Sequence, residues 1–164
     1  MRLRSIAIRG VEASYSGRSR RIGMPTRNAS ATWEGDLKSG KGSMRLGSGA
    51  FEGAYSFASR FENGTGTNPE ELAGAAHAGC FSMAFANELS KAGFVPTRVA
   101  TTAKVHLEKG DAGFAISRID LDTQASVPGI ADAKFQEIAQ GAKKNCPISK
   151  LFTGAQINLL AKLV

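Results

Sequence analysis

Two cysteines in 164 residues are too few for the disulfide framework of a small secreted protein. They stand at positions 80 and 146, 66 residues apart, and form no C-x-x-C pair. The cytoplasm, or another reducing compartment, is the default location. No apolar run reaches the roughly eighteen residues that a membrane-spanning helix needs. No continuous apolar segment follows the N-terminal charges, so a secretory signal is excluded. Neither repeats nor low-complexity tracts interrupt the chain. Aromatics are few, at 7%, while glycine is abundant with 19 residues; the composition otherwise suits one globular domain.

The net charge of +7 invites a nucleic-acid reading, and its distribution removes it. Residues 1–23, "MRLRSIAIRGVEASYSGRSRRIG", hold six arginines and one glutamate. The rest of the chain carries only about +2, with no basic stripe. The tail has three readings: an organelle transit peptide, a solvated basic arm, or a start codon placed ahead of the true one at Met24. The last ranks first, because organised patterning begins only near Asn28. The expected division is therefore a basic extension over 1–27 and a domain over 28–164.

Residues 29–67 are rich in Gly and Ser, with short apolar pieces around Trp33, Met44, Leu46, Tyr55 and Phe57. That suits an antiparallel meander with frequent turns. Residues 68–91 read as a helix: Asn68 is the N-cap, Pro69 the first helical residue, Glu71 a capping-box acid and Gly93 the stop. Alternation over 98–108 puts Val99, Ala103, Val105 and Leu107 on one face and Arg98, Lys104, His106 and Glu108 on the other. The returning strand, 114–126, slips phase between Ile116 and Ile119, which predicts a bulge near Arg118. A helix over 131–144 and an alternating strand over 155–163 complete an α+β order, with helices packed on an antiparallel sheet. The long helix is apolar nearly all round, so a partner subunit is expected on its second face.

Cys80 lies inside that helix, and a small buried hydrophobe is its plainest reading. It is far from the helix N-terminus, and at an ordinary thiol pKa near 8.5 only about 3% would be thiolate at pH 7. A reactive Cys80 needs a cation from outside the helix. Cys146, before Pro147 in "NCPIS", is expected to cap a helical turn near a surface or cleft.

The wording of the chain goes further. "TWEGD", "SRFENGTGTNPEELAGAAHAGCFSMAFANEL", "DAGFAISRIDL", "VPGI" and "NCPIS" resemble, in that order, the osmotically inducible protein C branch of the OsmC/organic hydroperoxide resistance family. The resemblance runs from about Ala31 to the C-terminus, some four-fifths of the chain. It implies antiparallel sheets packed on a long central helix in an intertwined homodimer. It also implies a thiol peroxidase that reduces organic hydroperoxides, and hydrogen peroxide more weakly, in oxidative and osmotic stress defence. By that resemblance Cys80 is the peroxidatic cysteine, Cys146 the resolving one, Arg60 the cation and Glu70 the acid that holds it. The thiols pass through a Cys80 sulfenic acid and a Cys80–Cys146 disulfide, reset by an external dithiol, in the related proteins a lipoylated one. No metal or bound cofactor is implied. Phe81, Met83 and Phe85 are candidates to line a substrate pocket, with core packing as the other reading.

Ten residues of straight helix set Glu70 and Cys80 about 15 Å apart. Either the helix breaks, with Gly74 the likeliest point, or a partner subunit completes the site, which is the favoured reading. Two rivals remain. A zinc site of His77, Cys80, Cys146 and His106 lacks paired ligand spacing; His77 is expected to pack and make one hydrogen bond. A catalytically silent dimer that binds a small molecule is the alternative function.

Overall fold

The structure is a computed structural model and describes residues 23–164; the readings of the basic tail over residues 1–22 lie outside it. Three short strands, β1 (Ala29–Glu34), β2 (Lys41–Leu46) and β3 (Glu52–Ser56), pair as an antiparallel meander. This is the arrangement the turn-rich composition of 29–67 predicts. The rings of Trp33 and Tyr55 sit 5.2 Å apart across it. No residue of the three strands is fully buried.

A single helical turn, α1 (Phe57–Phe61), follows β3 and was not anticipated from the sequence. Ser56 and Ser59 cap it reciprocally: each backbone N–H donates to the other's hydroxyl, at 2.9 and 3.1 Å. The usual box has Glu or Gln at the third position, so a serine there hid the signal.

The long helix α2 (Pro69–Lys91) begins where expected. Asn68 accepts a hydrogen bond from the Glu71 backbone at 2.8 Å. The Glu71 carboxylate, however, accepts from the Thr67 hydroxyl at 3.3 Å rather than closing a capping box on Asn68. Gly74 does not break the helix, which is continuous. The residue is buried against the strand that carries Ala103 and Val105, where a Cβ would make only ordinary contact, 3.4 Å from Val105 Cγ2 and 3.5 Å from the Ala103 carbonyl. One face of α2, from Gly74 through His77, Phe81 and Phe85 to Leu89, is buried. The opposite face exposes Ala75, Ala76, Gly79 and Met83.

The second sheet consists of β4 (Arg98–Gly110), β5 (Gly113–Ser126) and β6 (Gln156–Leu163), in that spatial order. The register of β4 and β5 shifts between His106 and Leu107, which face Arg118 and Ile116. Ser117 is the extra residue, beside the position the phase slip predicts. β6 runs parallel to β5, not antiparallel as expected. The chain between them passes through two helices, α3 (Asp132–Asn145) and α4 (Pro147–Leu151). Such a crossover returns the next strand in the same direction. Alternation alone is identical in either case, so the sequence pattern could not decide it.

The core lies between this second sheet and helices α2 and α3. Phe81, Phe85, Leu89, Ile119, Ala125, Phe135, Ala139 and Ala142 are all at 0% exposure. Phe85 packs edge-on to Phe135, with ring centroids 5.2 Å apart. Among the described residues no helix is long and apolar enough to cross a membrane.

Candidate active site

Both cysteines face this core from different elements. Cys80 sits midway along α2 and is half-buried. Cys146 ends α3 and starts α4: its N–H donates to Ala142 at 2.8 Å, and its carbonyl accepts from Lys150 at 3.0 Å. Pro147 forces the residue before it out of helical geometry, and Cys146 accordingly has φ −57° and ψ 123°. The resulting bend turns its side chain toward α2. The two Sγ atoms lie 3.3 Å apart as free thiols. A disulfide requires about 2.05 Å, so a small approach would join them. The expectation that Cys146 lies near a surface is corrected, since it is fully buried. The packing of Phe135, Ile138, Ala139 and Ala142 draws the end of α3 into the core.

Burial pushes the Cys80 thiol above its ordinary value, the backbone amide of Ile148 pulls it down, and the neighbouring Cys146 thiol raises it again. No cation among the described residues contributes. Among the described residues of this chain the sulfur lacks the positive partner that the sequence reading demanded.

The arginine that the resemblance points to stands elsewhere, already engaged. Arg60, at the end of α1, reaches Glu70 in the first turn of α2, with Nη2 2.9 Å and Nε 3.2 Å from Oε1. A contact from Nε to Oε2 at 3.4 Å completes a forked pair. The guanidinium also lies over the Phe61 ring, 5.1 Å from its centroid. The structure therefore gathers the four expected residues as two pairs, Cys80 with Cys146 and Arg60 with Glu70. About 15 Å of unbroken helix separates Glu70 from Cys80.

The three apolar candidates divide. Phe81 and Phe85 are at 0% exposure, so the expectation that they line a substrate pocket is corrected: their rings are enclosed by the core. Met83 is 77% exposed on the open face of α2. Beside Arg60, and unforeseen, Trp33, Tyr55, Phe57 and Phe61 line a cleft of about 230 Å³. It joins the meander to α1, and spacing along the chain gave no hint of it.

His77 is fully buried, with Nε2 2.8 Å from the Ser149 hydroxyl. Its single bond was expected; its partner, 72 residues away, was not legible. Desolvation lowers its pKa, so the ring is held neutral. His106 belongs to a different network, 2.7 Å from Asp120, whose carboxyl is held down first by the Asn158 side chain. His106 thus stands apart from the other residues of the zinc reading, and among the described residues no three of the His, Cys, Asp and Glu side chains gather as a metal site.

Two free thiols thus face each other across a helix–helix contact over a mixed sheet. The family model described as OsmC-like protein matches residues 62–159. The chain is 52% identical over 130 residues to peroxiredoxin OsmC of Escherichia coli strain K12, covering 79% of this chain and 90% of that protein. It belongs to the OsmC family. Among solved structures it resembles an organic hydroperoxide resistance protein from Elizabethkingia anophelis, with TM-score 0.67, 23% identity, and 87% and 99% of the two chains covered. OhrB of Bacillus subtilis, also an organic hydroperoxide resistance protein, gives TM-score 0.63 and 25% identity, with 82% and 98% covered.

Proposed function

We propose that this protein is a thiol peroxidase that reduces organic hydroperoxides to alcohols in defence against oxidative and osmotic stress. The observation that carries this reading is the 3.3 Å separation of the two sulfurs. The Cys80 thiolate attacks the distal peroxide oxygen, the O–O bond breaks, and the alcohol leaves. Cys80 is then a sulfenic acid, which Cys146 converts to a disulfide with release of water. An external dithiol, such as a lipoylated protein, returns both thiols by exchange. Two free cysteines at contact distance suit a reducing compartment, and we assign the protein to the cytoplasm.

Arg60 is the cation that stabilises the thiolate and orients the peroxide, and Glu70 fixes its fork. Because a protomer keeps this pair apart from its own thiols, we assign each site to two subunits of a homodimer. The exposed small-residue face of α2 and the coreless β1–β3 meander support a second copy as their cover. In that arrangement the aromatic cleft beside Arg60 takes the apolar substituent of the hydroperoxide. Hydrogen peroxide offers the cleft nothing to hold, so it is the slower substrate.

The test is a thiol titration. One equivalent of cumene hydroperoxide should remove both free thiols without forming an intermolecular disulfide. Retention of both thiols would leave a silent binding protein instead.

A further inference from the structure

His77 occupies a place in the core that an apolar side chain could fill. Its ring is fully buried and meets Phe152 edge-on at 5.5 Å. Nδ1 has no hydrogen-bond partner among the described residues. Burying a ring nitrogen unpaired is costly, so packing alone does not account for a histidine here. What the imidazole adds is the 2.8 Å bond from Nε2 to Ser149, itself buried.

That bond ties together the two elements that carry the sulfurs. His77 lies one turn before Cys80 on α2, and Ser149 lies three residues after Cys146 on α4. Between them, Ile148 directs its backbone amide at Cys80. α4 is only five residues long and starts with a proline that donates no backbone bond. Such a short element depends on side-chain ties to hold its place.

We propose that His77 is a positioning residue for disulfide closure: through Ser149 it holds α4 against α2, keeping Cys146 within reach of an oxidised Cys80. This rests on the peroxidase cycle above. In the step concerned, the Cys146 sulfur attacks the Cys80 sulfur of the sulfenic acid. The S–S bond forms, the S–O bond breaks, and the departing hydroxide leaves as water with the Cys146 proton. No outside oxidant or reductant enters. The competing step uses a second hydroperoxide, which is reduced to alcohol as the sulfenic acid becomes a sulfinic acid. The fraction of time Cys146 spends in place decides between them. The same tie holds Ile148, whose backbone amide lowers the Cys80 pKa.

The test compares His77→Asn and His77→Gln with Ser149→Ala and Ser149→Thr in the full chain. Glutamine places an amide nitrogen near the Nε2 position, whereas asparagine falls short of Ser149; threonine keeps the hydroxyl that alanine removes. Each protein receives cumene hydroperoxide at rising excess, and intact mass gives the ratio of disulfide to sulfinic acid. The expected result is a ratio lowered about tenfold in His77→Asn and Ser149→Ala, the scale of one buried hydrogen bond. In both, alkylation of Cys80 by iodoacetamide should shift to higher pH. His77→Gln and Ser149→Thr should stay near wild type, and the double variant should be no worse than either damaging single change. Should His77→Asn fail to fold, Ser149→Ala removes one oxygen atom and carries the comparison with Ser149→Thr. An unchanged ratio and alkylation profile in Ser149→Ala would overturn the role of the tie. Wild type that takes up peroxide without closing a disulfide would overturn the cycle itself, and this inference with it.

Discussion

The second sheet and the helices across it enclose a dense core, whereas β1–β3, with the same number of strands, enclose no fully buried residue. The two thiols belong to the packed region, whereas the Arg60–Glu70 pair bridges the two, with Arg60 on α1 beside the meander and Glu70 in the first turn of α2. The packed region holds two sulfurs at a fixed separation, which closure of a disulfide requires. Beside the open region lie the Arg60 guanidinium and the aromatic cleft of Trp33, Tyr55, Phe57 and Phe61, where the proposed mechanism seats the peroxide. In the proposed mechanism neither cluster is a complete site, and each supplies what the other lacks.

The largest effects separate the two thiols from each other. Cys80→Ser should abolish peroxide consumption altogether, measured by loss of cumene hydroperoxide. Cys146→Ser should allow one turnover and then accumulate sulfenic and sulfinic acid by intact mass. On the other side of the comparison, Arg60→Ala should slow the first oxidation step by about a hundredfold or more, the scale of losing a positioned charge donor. Stopped-flow oxidation checks this, and the thiolate titration of Cys80 should move upward in the assembled protein.

Stability should divide the regions as sharply. Phe85→Ala leaves a cavity in the core and should cost about 3–5 kcal/mol in urea unfolding. Met44→Ala, half-buried in the meander, should cost about 1 kcal/mol. Equal losses at the two positions would mean that the meander has a core of its own.

The smallest effect lies on the acid flank of the pH–stability curve. Burial lowers the folded pKa of His77, so the unfolded chain binds more protons there. Its contribution is present above the ordinary histidine value, about 6.5, and is lost as pH falls through the folded value. Urea midpoints across pH should show His77→Gln flattening the acid side.

Local signals carried far in this chain, and pairwise ones did not. Asn68 and Pro69 mark the start of α2, and the phase slip around Arg118 marks the bulge, because both are written in neighbouring residues. The resemblance of "AAHAGCF" and "NCPIS" to a known family supplied the pairing of Cys80 with Cys146; no periodicity could. The burial of Phe81 and Phe85 follows from which face of an all-round apolar helix the sheet covers, a choice the sequence leaves open. The direction of β6, the Ser149 partner of His77 and the aromatic cleft all depend on segments brought together from afar.

The account turns on whether Arg60 of one protomer serves Cys80 of another. Cys80→Ser and Arg60→Ala proteins, each inactive alone, can be unfolded, mixed in equal amounts and refolded together. Shared sites should restore about a quarter of wild-type peroxidase activity, since half the dimers are mixed and each mixed dimer has one intact site. Activity no greater than that of the separate variants would contradict sharing and return Arg60 to its own chain.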